Sequence, residues 1–462
     1  MFIRPKTAAS QKYIRRNIIF LCLFILSLAL YLYKFPKMAT FDFDQDYYGN
    51  QYLRIFKEKK PTLLGIEASV GGLFVAPLYS YFASIVYAAS LGNPLGIYLA
   101  TIIIASLQGP VTFLLLARLK GQKVGIFAGL VTIFSHALFS KAFAPSPINL
   151  IYPMGLLFFY FLSRLDQKPQ NIIWLGLLSG LSLHIHLSLL ALVPTTVLYI
   201  IWKKPKSLNP KYLLIAGLIF IFWAMPLILF DIRHDLYLSK NFIDFFLQGI
   251  NNQNFLANVL RILKALMDVL AGLASGNLIG KFFLVIILLY FAKKLRNDNL
   301  LKTAGFVILV TSALFSLYFG NLSDYYFFSL LAPFLLIVAS FCSWMFGRPI
   351  GKIILLAALG FFLIYNLKEI KSSVNPYNYF VKEKAVRYIK NQAQNKNVKI
   401  YFDTEVGLGF GFNYLFKYQD LNLSDTDYEQ IYQIVIRGKE ESPGAAFREK
   451  NVENTIRVIK LL

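Results

Sequence analysis

Three aspartates at alternate positions, Asp42, Asp44 and Asp46, stand in the stretch TFDFDQDYYGNQ over residues 40–51, shortly after the apolar run IIFLCLFILSLALYLYKF. An EF-hand calcium loop counted from Asp42 would need Gly at its sixth position and Glu at its twelfth. Tyr47 and Leu53 occupy those places, which excludes that loop. Two chemistries suit carboxylates at the mouth of an apolar segment. They hold a divalent cation (Mg, Mn or Zn), or they take a proton from a hydroxyl. Both fit a reaction on a phosphate-linked lipid at the bilayer edge. The alternative is a solvated loop in which Asp44 or Asp46 caps a helix over QDYYGNQYLRIFKEKK.

Further polar groups are expected on the same face, by the topology set out below: Glu67, His184, His186, Asp231, Arg233, His234, Asp235, Asp324, Tyr325 and Tyr326. Ionisable groups this near a membrane plane are expensive and generally functional. Each also has a plain structural reading. His184 and His186 are two apart, about 200° round a helix, so at most one faces the helix bundle. Arg233 and His234 suit interfacial anchoring, and Asp324 suits the N-cap of the apolar run that follows.

The elements that must position these groups are membrane helices. Of 462 residues 57% are hydrophobic and 15% charged, against roughly 45–50% and about 25% in soluble proteins. Apolar runs long enough for a hydrocarbon core of about 30 Å recur along the chain. The net charge of +23 lies in short loops between those runs. That placement is the positive-inside pattern, not a nucleic-acid-binding stripe. Cys22 and Cys342 both lie in apolar runs, which leaves no disulfide framework and no zinc knuckle. No small-x-small site follows the first run, so we read it as an uncleaved signal anchor.

Arg4, Lys6, Lys12, Arg15 and Arg16 place the N-terminus in the cytoplasm, and a first span at 18–34 delivers the aspartates outside. Arg118, Lys120 and Lys123 require an odd number of crossings in between. The run 73–90, with Gly71, Gly72 and Pro77, is therefore expected not to span, and 35–94 forms a long first external loop. Spans follow at 95–117, 124–143, 150–164, two within 172–202 with a turn near 184–188, then 211–229, 278–292, 303–319, 325–345 and 352–366. The expected fold class is an all-α polytopic protein of the cell membrane with about eleven spans. From about 370 the chain becomes polar. NYFVKEKAVRYIKNQ reads as an amphipathic helix, and VKIYFD, IYQIVIR and TIRVIKLL read as strands. Domains are accordingly expected at 1–369 and 370–462, the second a small extracytoplasmic α/β unit separate from the site.

Several stretches resemble the GT-C membrane glycosyltransferases, in the branch of the protein O-mannosyltransferases and the lipid A aminoarabinose transferase. FDQDYYGNQYL resembles their first-loop DQ or DE segment. PTLLGIEASVGGLFVAPLYSYF, GLLSGLSLHIHLSLLALVP and PLILFDIRHDL resemble three further family segments, in the same order. Together they cover most of 15–370. The turn APSPIN lacks the acidic residue of the mannosyltransferases. The resemblance implies an acidic base or metal ligand at Asp44, the Asp of DQ, while Asp46 and Glu67 depart from the family pattern; from their place on the same face, Asp46 is expected to be catalytic beside Asp44, and Glu67 to hold a metal with Asp44 and His234. The resemblance also implies substrate contacts from His186, Asp231 and Arg233, which match family segments; Asp42, Asp324 and Tyr325 are expected as substrate contacts from their place on the same face. The implied reaction moves a sugar from a polyprenyl-phosphate carrier to a lipid, glycan or protein acceptor on the extracytoplasmic face, with inversion. No nucleotide and no nucleic acid is implied, since no Gly-rich phosphate loop is present. The rival reading is a transporter or lipid flippase. It would show two related halves with interrupted spans, and no internal symmetry is visible.

Overall fold

The computed structural model describes residues 8–205, 208–252, 255–273, 278–405, 407–436, 449–452 and 456–461. Arg4 and Lys6 of the basic N-terminus lie outside them. Among the described residues, five helices are long and apolar enough to cross a membrane: Tyr13–Met38, Leu95–Lys120, Pro210–Arg233, Asp324–Phe346 and Pro349–Ser372. The pair Gln122–Phe134 and His136–Phe143, bent by 58°, would make a sixth span. Shorter apolar helices occupy Leu78–Ala89, Pro147–Leu162, Asn171–Ser182, Leu187–Lys203 and Asn299–Phe315. Among the described residues, the expectation of about eleven spans is thus met by five or six full-length helices and five shorter apolar ones. Many of the expected crossings are short helices buried against neighbours.

The expected break within 172–202 is present: the helix ends at Ser182, and a 3-10 turn at Leu187–Ala191 leads into Leu192–Lys203. The long segment between the expected spans 211–229 and 278–292 forms the helices Tyr237–Asn252 and Phe255–Gly272. Leu78–Ala89 has 12 residues, roughly 18 Å at 1.5 Å per residue, and cannot cross about 30 Å of hydrocarbon alone.

The basic loops gather at one end of the bundle. Lys120 pairs with Asp298. Lys123 and Lys352 both lie over the Phe346 ring, at 5.4 and 5.3 Å. The helix Leu331–Phe346 runs from beside Asp324 to that end, so the first-loop aspartates and the basic loops occupy opposite ends.

The tail forms a four-stranded sheet in the order β1-β2-β4-β3, with β1 Val398–Thr404, β2 Gln430–Ile436, β3 Glu449–Val452 and β4 Ile456–Lys460. β1 pairs parallel to β2, while β4 pairs antiparallel to β2 and β3. The three strands read from β-branched residues are present. β3 is polar and was not legible. The helix Tyr379–Ala393 covers the sheet with Val381, Ala385, Val386 and Ile389. The tail and the first loop share one core: Phe41, Tyr48, Tyr52, Tyr79 and Tyr87 pack in the same cluster as Tyr379, Tyr414 and Ile434. A Cβ on Gly49 would overlap the Tyr414 ring. At Gly411, where φ is +84°, a Cβ would strike the Phe41 carbonyl. Only glycine permits either approach.

Candidate functional site

The helix Phe43–Tyr52 carries the aspartate triplet, and each carboxylate has a different fate. Asp42 is the N-cap, not Asp44 or Asp46 as the alternative reading of the loop has it. The Gln45 side chain accepts the Asp42 backbone N–H at 2.9 Å, the reciprocal contact of a capping box. The Asp42 carboxylate accepts from Lys382 Nζ at 2.8 Å. Asp46 Oδ1 accepts the Tyr414 N–H at 2.6 Å, so it caps the short tail helix Asn413–Tyr418 from outside. The two outer aspartates thus bind the first loop to the tail.

Asp44 has neither a hydrogen bond nor an ion pair among the described residues. It is half-buried. Burial, and secondly the Asp42 charge, push its carboxyl up to about 6. Its charge acts on the hydroxyls of Tyr48, Tyr79 and Tyr325. Tyr48 lies four residues on, on the same helix face, with its ring 4.8 Å from Tyr79. Among the described residues the buried Tyr48 hydroxyl has no hydrogen-bond partner, an arrangement that native interiors rarely leave unused.

The second wall is the 3-10 helix Asp324–Leu330. Tyr325 stands 5.1 Å from Tyr326, ring to ring. The His186 ring contacts both, at 5.4 and 4.9 Å. The Ser188 N–H donates to His186 Nδ1 at 3.1 Å, which assigns the ring proton to Nε2 in the neutral form. The Tyr326 hydroxyl reaches Ser69 Oγ of the first loop at 3.3 Å. A cation also sits here that the sequence reading passed over: Lys141, in the 3-10 turn Ser140–Phe143. Its Nζ lies 2.9 Å from Asp324 Oδ2 and 5.9 Å from the Tyr325 ring centroid. Gln45 Nε2 donates to the Pro145 carbonyl at 2.9 Å and holds the turn following Lys141 against the helix that carries Asp44.

Tyr325 therefore lies against His186 and the Lys141–Asp324 pair, within reach of the Asp44 charge. The remaining sequence candidates do other things. His184 accepts the Leu78 N–H at Nδ1 (3.1 Å) and donates from Nε2 to the Trp223 carbonyl (2.9 Å). That joins two helices and is structural. Glu67 accepts the Gly72 N–H at 2.7 Å across a tight turn where Gly72 has φ +75°. Asp231 accepts from the Leu238 N–H at 2.7 Å and from the Ser239 hydroxyl at 2.5 Å, fixing the chain reversal that follows its helix. His234 stacks on Phe230 at 4.0 Å and bonds its carbonyl through Nδ1. Arg233 is exposed.

The metal set expected from Asp44, Glu67 and His234 is not assembled. Among the described residues no three His, Cys, Asp or Glu side chains converge, and Glu67 and His234 are engaged as just described. The residues present do not fit a three-ligand metal centre, so no step is routed through a metal.

Several contributors lacked a sequence signal. Lys141 looked like an ordinary residue within an apolar run, and Tyr48 and Tyr79 looked like helix-face aromatics. Ser69 lies in a polar stretch without periodicity.

No family model matches the chain, and no curated protein matches it. Solved structures do. The chain is similar to ArnT from Cupriavidus metallidurans bound to undecaprenyl phosphate, at 13% identity and TM-score 0.59, over 98% of each chain. It is likewise similar to ArnT from the same organism in the apo state, at 11% identity and TM-score 0.56, again over 98% of each. ArnT is a lipid A aminoarabinose transferase of the GT-C class. The resemblance read from the first-loop aspartates thus extends to the fold of nearly the whole chain, tail sheet included.

Proposed function

We propose that the chain is a membrane glycosyltransferase. It takes a sugar from a polyprenyl-phosphate carrier and passes it to a lipid, glycan or protein hydroxyl at the extracytoplasmic face. One observation carries this reading: Asp44 is a half-buried carboxylate without a partner among the described residues, its charge reaching Tyr48, Tyr79 and Tyr325, in a fold similar to a structure solved with undecaprenyl phosphate.

A base is most effective when its pKa lies near the working pH. With its carboxyl pushed up to about 6, Asp44 is mostly ionised at pH 7 yet more basic than an exposed aspartate. The acceptor oxygen attacks the anomeric carbon as Asp44 takes its proton. The bond from that carbon to the phosphate oxygen breaks, and the lipid phosphate leaves with the electron pair. A single attack from the face opposite the phosphate inverts the anomeric centre. Negative charge grows on the phosphate. Lys141, at the same site, is the cation placed to offset it, since an ammonium has three donors and Asp324 does not exhaust them. Arg233 remains a second candidate for that charge. Tyr325 and His186 supply flat apolar walls and hydroxyl or imidazole edges for the sugar.

Purified protein in detergent, given a polyprenyl-phosphate sugar and a hydroxyl acceptor, should release polyprenyl phosphate and form the glycoside. Translocation of the lipid without cleavage, in proteoliposomes, would instead identify a flippase.

A further inference from the structure

A cavity of about 800 Å³ runs along the helices Leu278–Leu295, Leu331–Phe346 and Pro349–Ser372, with one end opposite Asp44. Its body is apolar, with Leu284, Ile287, Phe334, Leu355, Ala358 and Phe362 in the wall. One end is different. Lys293, Lys294 and Arg348 line it together with Tyr290 and Trp344. Arg348 is held in place: its guanidinium sits 3.8 Å from the Trp344 ring centroid, and Nη1 donates to the Trp344 carbonyl at 3.0 Å. None of the three cations has a carboxylate partner among the described residues. The acid whose charge reaches this rim, through Tyr290, is Asp298, and Lys120 already engages it.

We propose that this groove binds an anionic glycerophospholipid from the leaflet on the basic-loop side. The phosphate would sit against Lys293, Lys294 and Arg348, and the acyl chains would fill the apolar body. Charge complementarity decides the class of occupant. Three unpaired cations over an apolar slot, flanked by a Trp and a Tyr, fit an amphiphile with a negative head and an interfacial position. The helix Leu331–Phe346 alone spans roughly 24 Å at 1.5 Å per residue and separates the groove's charged end from Asp324. A lipid bound here is therefore not the lipid whose phosphate reacts beside Asp44. Nothing in the groove depends on the reading of Asp44 as a base.

The test uses delipidated, full-length protein in detergent. It is incubated with phosphatidylglycerol, phosphatidylcholine of the same acyl chains, or undecaprenyl phosphate, and bound lipid is counted by native mass spectrometry. Phosphatidylglycerol should be retained at least tenfold better than phosphatidylcholine. Lys293→Gln, Lys294→Gln and Arg348→Gln should each weaken its binding roughly fivefold, about 1 kcal/mol per cation, and the triple variant should erase the preference. Ala358→Phe fills the groove and leaves the cations, so it should lower binding of both phospholipids. Equal retention of the two phospholipids in wild type would overturn the inference. So would a preference that survives the triple substitution, or phosphatidylglycerol binding unchanged by Ala358→Phe. If undecaprenyl phosphate displaces phosphatidylglycerol and the cation substitutions abolish that displacement, the groove belongs to the polyprenyl lipid and the inference is wrong. Should the triple variant aggregate, the single variants, Ala358→Phe and the wild-type ratio still decide.

Discussion

Lys382 Nζ, in a side chain with no exposed surface, lies 2.8 Å from Asp42 Oδ1. It also donates to the carbonyls of Phe41 and Phe410, each at 2.8 Å. One buried lysine of the tail therefore holds the N-terminus of the helix that carries Asp44, and its three donors are all satisfied. Removing one partner of a buried pair typically costs about 3–5 kcal/mol, because the other is left uncompensated. Asp42 is half-exposed, so we expect the lower part of that range for Lys382→Met. Chemical denaturation and turnover measured on the same sample check this. Stability and rate both within error of wild type would show that the pair is incidental.

Deleting 375–462 is expected to disable the protein. The sequence reading treated that tail as separable, yet Tyr379, Tyr414 and Ile434 share a core with Tyr48 and Tyr87 of the first loop. Truncation would expose those tyrosines and free Asp42 and Asp46 of their partners. Limited proteolysis should then cut within 40–94. A truncated protein with an intact first loop and measurable sugar transfer would refute the coupling.

Asp44 should set the acid limb of the pH profile. Its carboxyl is pushed up to about 6 by burial and then by Asp42, and only the ionised form accepts a proton. The kcat/KM should rise with pH through a midpoint near 6 and level off above it. A midpoint near 4 would mean that Asp44 is solvated in the working enzyme.

The same shift has a consequence for stability. The folded-state value is raised above the unfolded one, so the contribution of Asp44 is most favourable below about pH 4. It is lost as pH rises through about 6. At pH 7 the folded protein bears a penalty of at most roughly 3 kcal/mol. Asp44→Asn removes that penalty, and its melting temperature at pH 7 should equal or exceed that of wild type. Marked destabilisation would point to a structural role for the carboxylate.

Lys141→Gln is expected to lower kcat by about 10²-fold, as for loss of one group that stabilises developing charge. The KM for the donor should change less. A pure KM effect would make Lys141 a ground-state binding residue only.

Much of this was legible in the chain. The acidic triplet, its place after the first apolar run, the break near 184–188 and three of four strands follow from composition and periodicity. Which aspartate is unpaired was not. Asp42, Asp44 and Asp46 are equivalent in sequence, and they diverge because Lys382 and Tyr414 come from more than 300 positions away. Lys141 was hidden for the same reason, since its partner Asp324 is 183 residues distant. Several expected spans are shorter helices in the structure, because hydropathy reports burial from water, whether in lipid or against another helix. Asn171–Ser182 and Asn299–Phe315 are apolar enough but short. Glu67, Asp231 and His234 were read as chemistry. In the structure each makes a backbone hydrogen bond, an option that a carboxylate or imidazole always has at a turn.

The most direct measurement is the rate of polyprenyl-phosphate release from a polyprenyl-phosphate sugar by wild type, Asp44→Asn and Asp46→Asn, all purified and confirmed folded. Asp44→Asn preserves shape and removes the base, so its rate should fall about 10²–10⁴-fold. Asp46→Asn retains an oxygen acceptor for the Tyr414 N–H and should lose far less. Asp44→Asn turning over near the wild-type rate, with Asp46→Asn inactive, would contradict the assignment of Asp44 as the base.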